Sequence, residues 1–154
     1  MKLFHGSHSS TAPSIKVGAF AMAGDNVFDG IFAGESDIAE SHGDYVYAYN
    51  VESVADSSDL NARIDEVIQF LNGEVEANEE TIEALAYAIA DDEESEDFNE
   101  VLSPRSSADH QGVYSWEMQR LRGRVAAALG FDAVEMSDEH GTTYLIVNPS
   151  ITAE

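Results

Sequence analysis

Hydrophobic and polar positions along this 154-residue chain change character twice, and the changes mark out its elements. Residues 2–5 read as a strand, followed by a Ser/Thr/Pro loop to Pro13. Ser14 to Phe20 is mixed, and Gly18, Gly24 and Gly30 punctuate the approach to a short apolar strand, Gly30-Ile31-Phe32-Ala33. ESDIAESHG (35–43) suits a short helix with Ile38 and Ala39 facing in. From Asp44 to Val51 the alternation is clean: Tyr45, Tyr47, Tyr49 and Val51 share one face, Val46 and Ala48 the other. A period of two rich in aromatics predicts a strand.

The middle then turns helical. Leu60, Ile64, Val67, Ile68 and Leu71 recur at helical spacing after SSD, with Gly73 placed to stop the helix. Asn78 can cap a second helix whose stripe is Ile82, Leu85 and Ile89. DDEESED (91–97) ends the periodicity as a solvated like-charge loop. Residues 115–130 form a further helix, with Ser115 as cap, Met118, Leu121, Val125 and Leu129 inward, and Gly130 at the stop. FDAVEM (131–136) and TTYLIVN (142–148) are strands joined by the loop SDEHG (137–141). Strands at both ends with helices between predict an α+β domain around a mostly antiparallel sheet. It forms one domain over 1–154, with a two-helix insertion at about 57–100 that covers the sheet or meets a partner.

Composition narrows the function. Thirty acids against seven bases give a net charge of −23, a field that disfavours direct binding to nucleic acid or anionic membrane. Two sources of that charge stay open: a high-salt habitat selecting an acidic, lysine-poor surface (only Lys2 and Lys16 occur), or steering toward a basic partner. The absence of cysteine excludes disulfides and thiolate sites. No apolar stretch approaches the roughly 20 residues of a membrane span, and no signal peptide is evident, so a cytoplasmic location is expected.

Candidate chemistry is sparse. Read structurally, His5-Gly6-Ser7 is a strand end with a half-buried histidine and a glycine turn. Read functionally, it is a clamp, the imidazole donating to a ribose hydroxyl while glycine lets main-chain groups approach a planar carboxamide. Phe32 is a core residue or a ring that stacks on a ligand. The tyrosines of 45–49 form a buried face from which one phenol could reach a pocket. Asp138 and Glu139 are turn residues, or carboxylates able to stabilise a cationic sugar transition state. Glu117 fits favourable placement near a helix start and is a further candidate acid. With no H-E-x-x-H and no close His/Asp cluster, no metal site is expected, and G-x-S-x-G, Walker A and G-x-G-x-x-G are also missing.

An opening strand ending in FHGS, the G-x-F-A strand, Y-V-Y-A-Y and the closing LGFDAV…GTTYLIVNPS hairpin together resemble the histidine-first ADP-ribosyltransferase fold of toxins and phage effectors. FAGESDIAESHGDYVYAYNVE and SWEMQRLRGRVAAALGFDAVEMSDEHGTTYLI are similar to segments of the ADP-ribosyltransferase anti-CRISPR family acting on type I-F surveillance complexes. The resemblance implies a split, mostly antiparallel sheet holding bent NAD as co-substrate. His5 would hold a ribose hydroxyl and Gly6 the nicotinamide amide, with Ser7 alongside; Phe32 would lie on or beside the ring, next to Ala33. Nicotinamide would leave through an oxocarbenium-like state stabilised by a carboxylate, Asp138 first, then Glu139, then Glu117. A side chain on a CRISPR complex subunit would attack, blocking target DNA binding in the host bacterial cytoplasm. Where many such transferases carry Glu or Gln after the last strand, this chain has Asn148-Pro149-Ser150-Ile151; Asp37 and His42 stand where an aromatic often follows the FA strand. The alternatives are a non-catalytic acidic DNA mimic, or a transferase aimed at another host protein.

Overall fold

The computed structural model describes residues 1–17, 30–34, 43–93, 98, 113–138 and 141–154, with main chain only at 113–116 and 138. Residues 35–42 of the helix expected at 35–43, most of the acidic loop at 91–97 and the candidate Glu139 lie outside the described residues.

Among the described residues the elements are, in order, β1 (Lys2–Ser7), β2 (Ile31–Ala33), β3 (Tyr45–Asn50), β4 (Val54–Ala55), α1 (Ser57–Ala62), α2 (Ile64–Glu74), α3 (Glu79–Ala90), α4 (Val113–Ala128), β5 (Ala133–Asp138) and β6 (Gly141–Ile146). The strands form an antiparallel pair, β1–β3, and a four-stranded sheet in the order β2-β6-β5-β4, whose β4–β5 pair is parallel. The fold is α+β with a split, mostly antiparallel sheet, as the residue pattern and the resemblance imply.

Alternation along the closing hairpin sorts its side chains to two faces. Val134, Met136 and Leu145 join Leu60, Val67, Leu71, Ile82, Leu85, Ile89, Leu121 and Val125 in the main core under the helices. Ala133 and Ile146 point the other way and meet Leu3, Ile15, Ile31, Tyr49 and Val51 in a smaller cluster. The two clusters sandwich the four-stranded sheet, and the smaller one ties it to β1–β3.

The α3 stripe and its Asn78 cap are as expected, Asn78 accepting from the Thr81 amide at 2.8 Å. The helix read across 60–71 is instead two, broken at Arg63. The Arg63 guanidinium leaves the helix axis to bond the Leu129 carbonyl at 3.0 Å and lie 5.9 Å from the Phe131 ring. Gly73 does not stop α2, which runs one residue further. α4 begins at Val113, so Ser115 is inside it and is no cap; Gly130 ends it in the left-handed region at φ 92°.

Candidate active site

The ladder between β1 and β2 consists, among the described residues, of one bridge. Phe4 and Gly34 exchange both main-chain bonds, at 2.8 and 2.9 Å. Continued antiparallel, that register would set Gly6 opposite Phe32. The Phe32 carbonyl instead accepts from the His5 ring, Nδ1 lying 2.5 Å away. A side chain therefore takes the place of a strand amide at the point where the sheet divides. Main-chain groups alternate sides along a strand, so the N–H and C=O of Gly6 point to the same edge as those of Phe4. There no further β1–β2 bridge forms among the described residues, while on its other edge β2 pairs with β6, Phe32 opposite Leu145 and Ala33 opposite Tyr144. The imidazole keeps the two halves joined while the Gly6 main chain faces the opening between them.

HGS is thus part of β1, paired with Tyr47, Val46 and Tyr45, and contains no glycine turn. Because a carbonyl only accepts, Nδ1 carries the proton. In the neutral ring Nε2 is then an acceptor, which reverses the polarity expected from sequence. His5 is 8% exposed, Ser7 1%. The Ser7 hydroxyl accepts from the Ser9 amide at 3.0 Å, and its main chain is covered by Gly43, where a Cβ would stand 2.3 Å from the Ser7 carbonyl oxygen. Tyr47 and Tyr49 donate to the carbonyls of Ser9 and Pro13, at 2.6 and 2.7 Å, so these phenols anchor the segment after β1.

Phe32 is half-buried against the main core. Ala33 is buried and its carbonyl accepts from Thr143 Oγ1 at 3.0 Å, leaving it a structural place beside the split. Asp138 is the last residue of β5, paired with Gly141, not part of an open loop. Glu135 stands level with Ala33 through Tyr144, so Asp138 lies three residues farther along, about 10 Å, and two strand spacings across, about 10 Å. The structure thus groups His5, Gly6, Ser7, Phe32 and Ala33 at one place and puts Asp138 at the rim of the same sheet.

Glu117 belongs elsewhere in the account. It is the fifth residue of α4, beyond the first turn, and it is buried with Arg120, whose Nε donates to it at 2.6 Å. Its position reflects this ion pair and not the helix dipole. Asn148, standing where related transferases often carry Glu or Gln, donates to Asp132 Oδ1 at 2.8 Å. Burial raises the Asp132 pKa, but bonds from Asn148 and the amides of Glu52 and Ser53 outweigh it, and the carboxyl lies below its ordinary value.

Sequence reading missed Arg122. Only 2% exposed, it donates to the carbonyls of Ile89 and Ala90 at 2.7 and 2.8 Å and to that of Glu135 at 2.8 Å. Burial lowers its pKa, against the pull of Asp92, Glu135, Asp56 and Asp91, and the guanidinium stays cationic. A helical wheel carried the signal, since Arg122 falls within about 20–40° of Leu129 and Met118 on the inward stripe. Among the described residues no cluster of His, Asp or Glu could hold a metal ion, and no helix is long and apolar enough to cross a membrane.

A divided, mostly antiparallel sheet with a first-strand histidine at the division agrees with the ADP-ribosyltransferase fold that the sequence resembles. Residues 1–154 match the family model described as Anti-CRISPR Type I-F ADP-ribosyltransferase AcrIF11, and the chain belongs to that family. It is therefore an ADP-ribosyltransferase of the anti-CRISPR type. A solved structure described as "Crystal structure of an anti-CRISPR protein" is 30% identical, with a TM-score of 0.66 over 100% of this chain and 93% of that one. No curated protein matches.

Proposed function

We propose that the protein transfers ADP-ribose from NAD to a side chain of a type I-F CRISPR complex subunit and thereby blocks target DNA binding. The observation that carries this is the His5–Phe32 bond, which joins β1 to β2 beside Gly6, whose main-chain N–H and C=O point to that same edge with the polarity a carboxamide needs. The donor set fits NAD: a main-chain N–H and C=O side by side for the amide, an imidazole acceptor for a ribose hydroxyl, and a half-buried phenyl ring beside them. When bound, NAD supplies the glycosidic bond that is exchanged: the ribose–nicotinamide bond breaks with its electron pair on nicotinamide, and the acceptor atom bonds to the ribose carbon and loses a proton. Asp138, at the rim, stabilises the positive charge that develops on the ribose. Glu139 is its neighbour in the same D-E-x-G-T run and the second choice for that role. Glu117, already matched by Arg120, is the third.

Among the described residues most basic side chains are matched by acidic or main-chain oxygens. Lys2 and Glu154 lie 3.0 Å apart, Arg124 and Glu74 3.1 Å, and Arg63, Arg120 and Arg122 bond internal oxygens. An acidic exterior would suit approach to a complex that presents a basic nucleic-acid channel. The test is incubation of the purified protein with labelled NAD and purified type I-F complex. Label on one subunit, lost in Asp138→Asn, is expected; inhibition of DNA binding at full strength without NAD contradicts the proposal and supports the acidic mimic.

A further inference from the structure

Among the described residues β5 is paired on its outer edge at Ala133 and Val134 alone, where β4 ends, yet it continues four residues further to Asp138. Side chains take over that edge. The Glu135 carbonyl receives Arg122 Nε and a terminal guanidinium nitrogen at 3.1 and 2.8 Å, and the Ser137 amide donates to Asp92 Oδ2 at 2.9 Å. Asp92 Oδ1 is 3.9 Å from Arg122 Nε, so the two side chains form one strip against the strand.

The backbone of Asp92 is the second observation. α3 ends with the Glu93 amide on the Ala88 carbonyl and the Asp92 amide on the Ile89 carbonyl, a Schellman closure whose left-handed residue is Asp92 at φ 56°. Glycine is the default there, and a residue with a Cβ is strained. Strain of this kind persists where the side chain has work that glycine could not do. Here the carboxylate holds the amide next to Asp138.

We infer that Asp92 is a positioning residue for transfer, fixing the end of β5 so that Asp138 stays aligned with the reacting ribose. This rests on the reading of Asp138 as the stabilising carboxylate. Substitution by glycine separates positioning from structure, because it relieves the helix end while removing the bond to Ser137. In the full chain, assayed for ADP-ribose transfer from NAD to purified type I-F complex, Asp92→Gly is expected to lower kcat at least about tenfold. KM for NAD should stay within about twofold, and Tm should not fall. Asp92→Asn keeps an acceptor for the Ser137 amide and recovers part of the rate. The inference is overturned if Asp92→Gly keeps the wild-type kcat, if its loss comes with a lower Tm, or if Asp92→Asn falls as far as Asp92→Gly. Asp138→Asn tells the two levels apart: retained transfer there removes the Asp138 reading and this inference with it. Abolished transfer beside a fully active Asp92→Gly removes the inference alone.

Discussion

Around β5 and β6, Leu121, Val125, Val134, Met136 and Leu145 interlock with at most 2% exposure, under helices clasped by Arg122. The β1–β3 pair is built otherwise. It places Leu3, Tyr49 and Val51 in the smaller cluster, while Tyr45 and Val46 are 44% and 39% exposed. Its other ties include directed bonds, from His5 to Phe32, Phe4 to Gly34, two phenols to loop carbonyls, and Lys2 and the Ala48 carbonyl to Glu154. Dispersion and burial hold the first half from all sides, and single polar contacts locate the second. Directed contacts leave main-chain groups facing an opening, which a close-packed interior cannot do. The half with less packing supplies His5 and Gly6 to the candidate site, and the packed half supplies Phe32, Ala33 and Asp138.

Breaking the clasp of the packed half should have the largest effect. Arg122→Ala removes the guanidinium from the carbonyls of Ile89, Ala90 and Glu135 and is expected to lower unfolding stability by about 3–5 kcal/mol, read from urea denaturation. Next is the seam between β3–β4 and the hairpin. Asp132→Ala loses charge-assisted bonds to Asn148 and two amides, about 1.5–3 kcal/mol at neutral pH. Since the folded pKa of Asp132 is depressed, its contribution is complete above the unfolded value, near 3.8, and is lost as pH falls through the lower folded value. The wild-type and variant urea midpoints should converge as the solution is acidified through that window.

On the other side of the comparison, His5→Ala should cost only about 0.5–1.5 kcal/mol of stability, for one neutral hydrogen bond. Its NAD affinity should nevertheless fall by about tenfold or more in calorimetric titration, because the split loses its strut. The smallest expected effect is that of Tyr47→Phe, which frees the Ser9 carbonyl at an exposed site and should change stability by less than about 1 kcal/mol in the same urea assay.

Legibility in the sequence follows the same division. Where burial is one-sided, period reports it: Ile82, Leu85 and Ile89 in α3, and Met118, Leu121 and Val125 in α4, are all buried as their spacing requires. Tyr49 and Val51 follow their strand period too, but the face they share with Tyr45 opens to solvent at its far end. Period fails where a distant partner decides. Nothing local in Leu60–Leu71 shows that Arg63 will turn aside to Leu129 and Phe131. β4, two residues long and parallel to β5, has no alternation to read. FHGS and FA identified the residues that meet at the split through the resemblance they carry. The hydrogen-bond polarity of His5, the cover of Gly43 on Ser7 and the bond of Asp92 to the Ser137 amide depend on contacts across 27 to 45 residues of chain.

The central claim is that His5 replaces a strand amide and leaves the Gly6 main chain facing the nicotinamide end of NAD. Titrating the ¹⁵N-labelled protein with NAD and following backbone amides tests this directly. The Gly6 amide should shift strongly and saturate with the binding curve, and that response should vanish in His5→Ala. A Gly6 amide that stays in place while perturbations gather in the four-stranded half would contradict it.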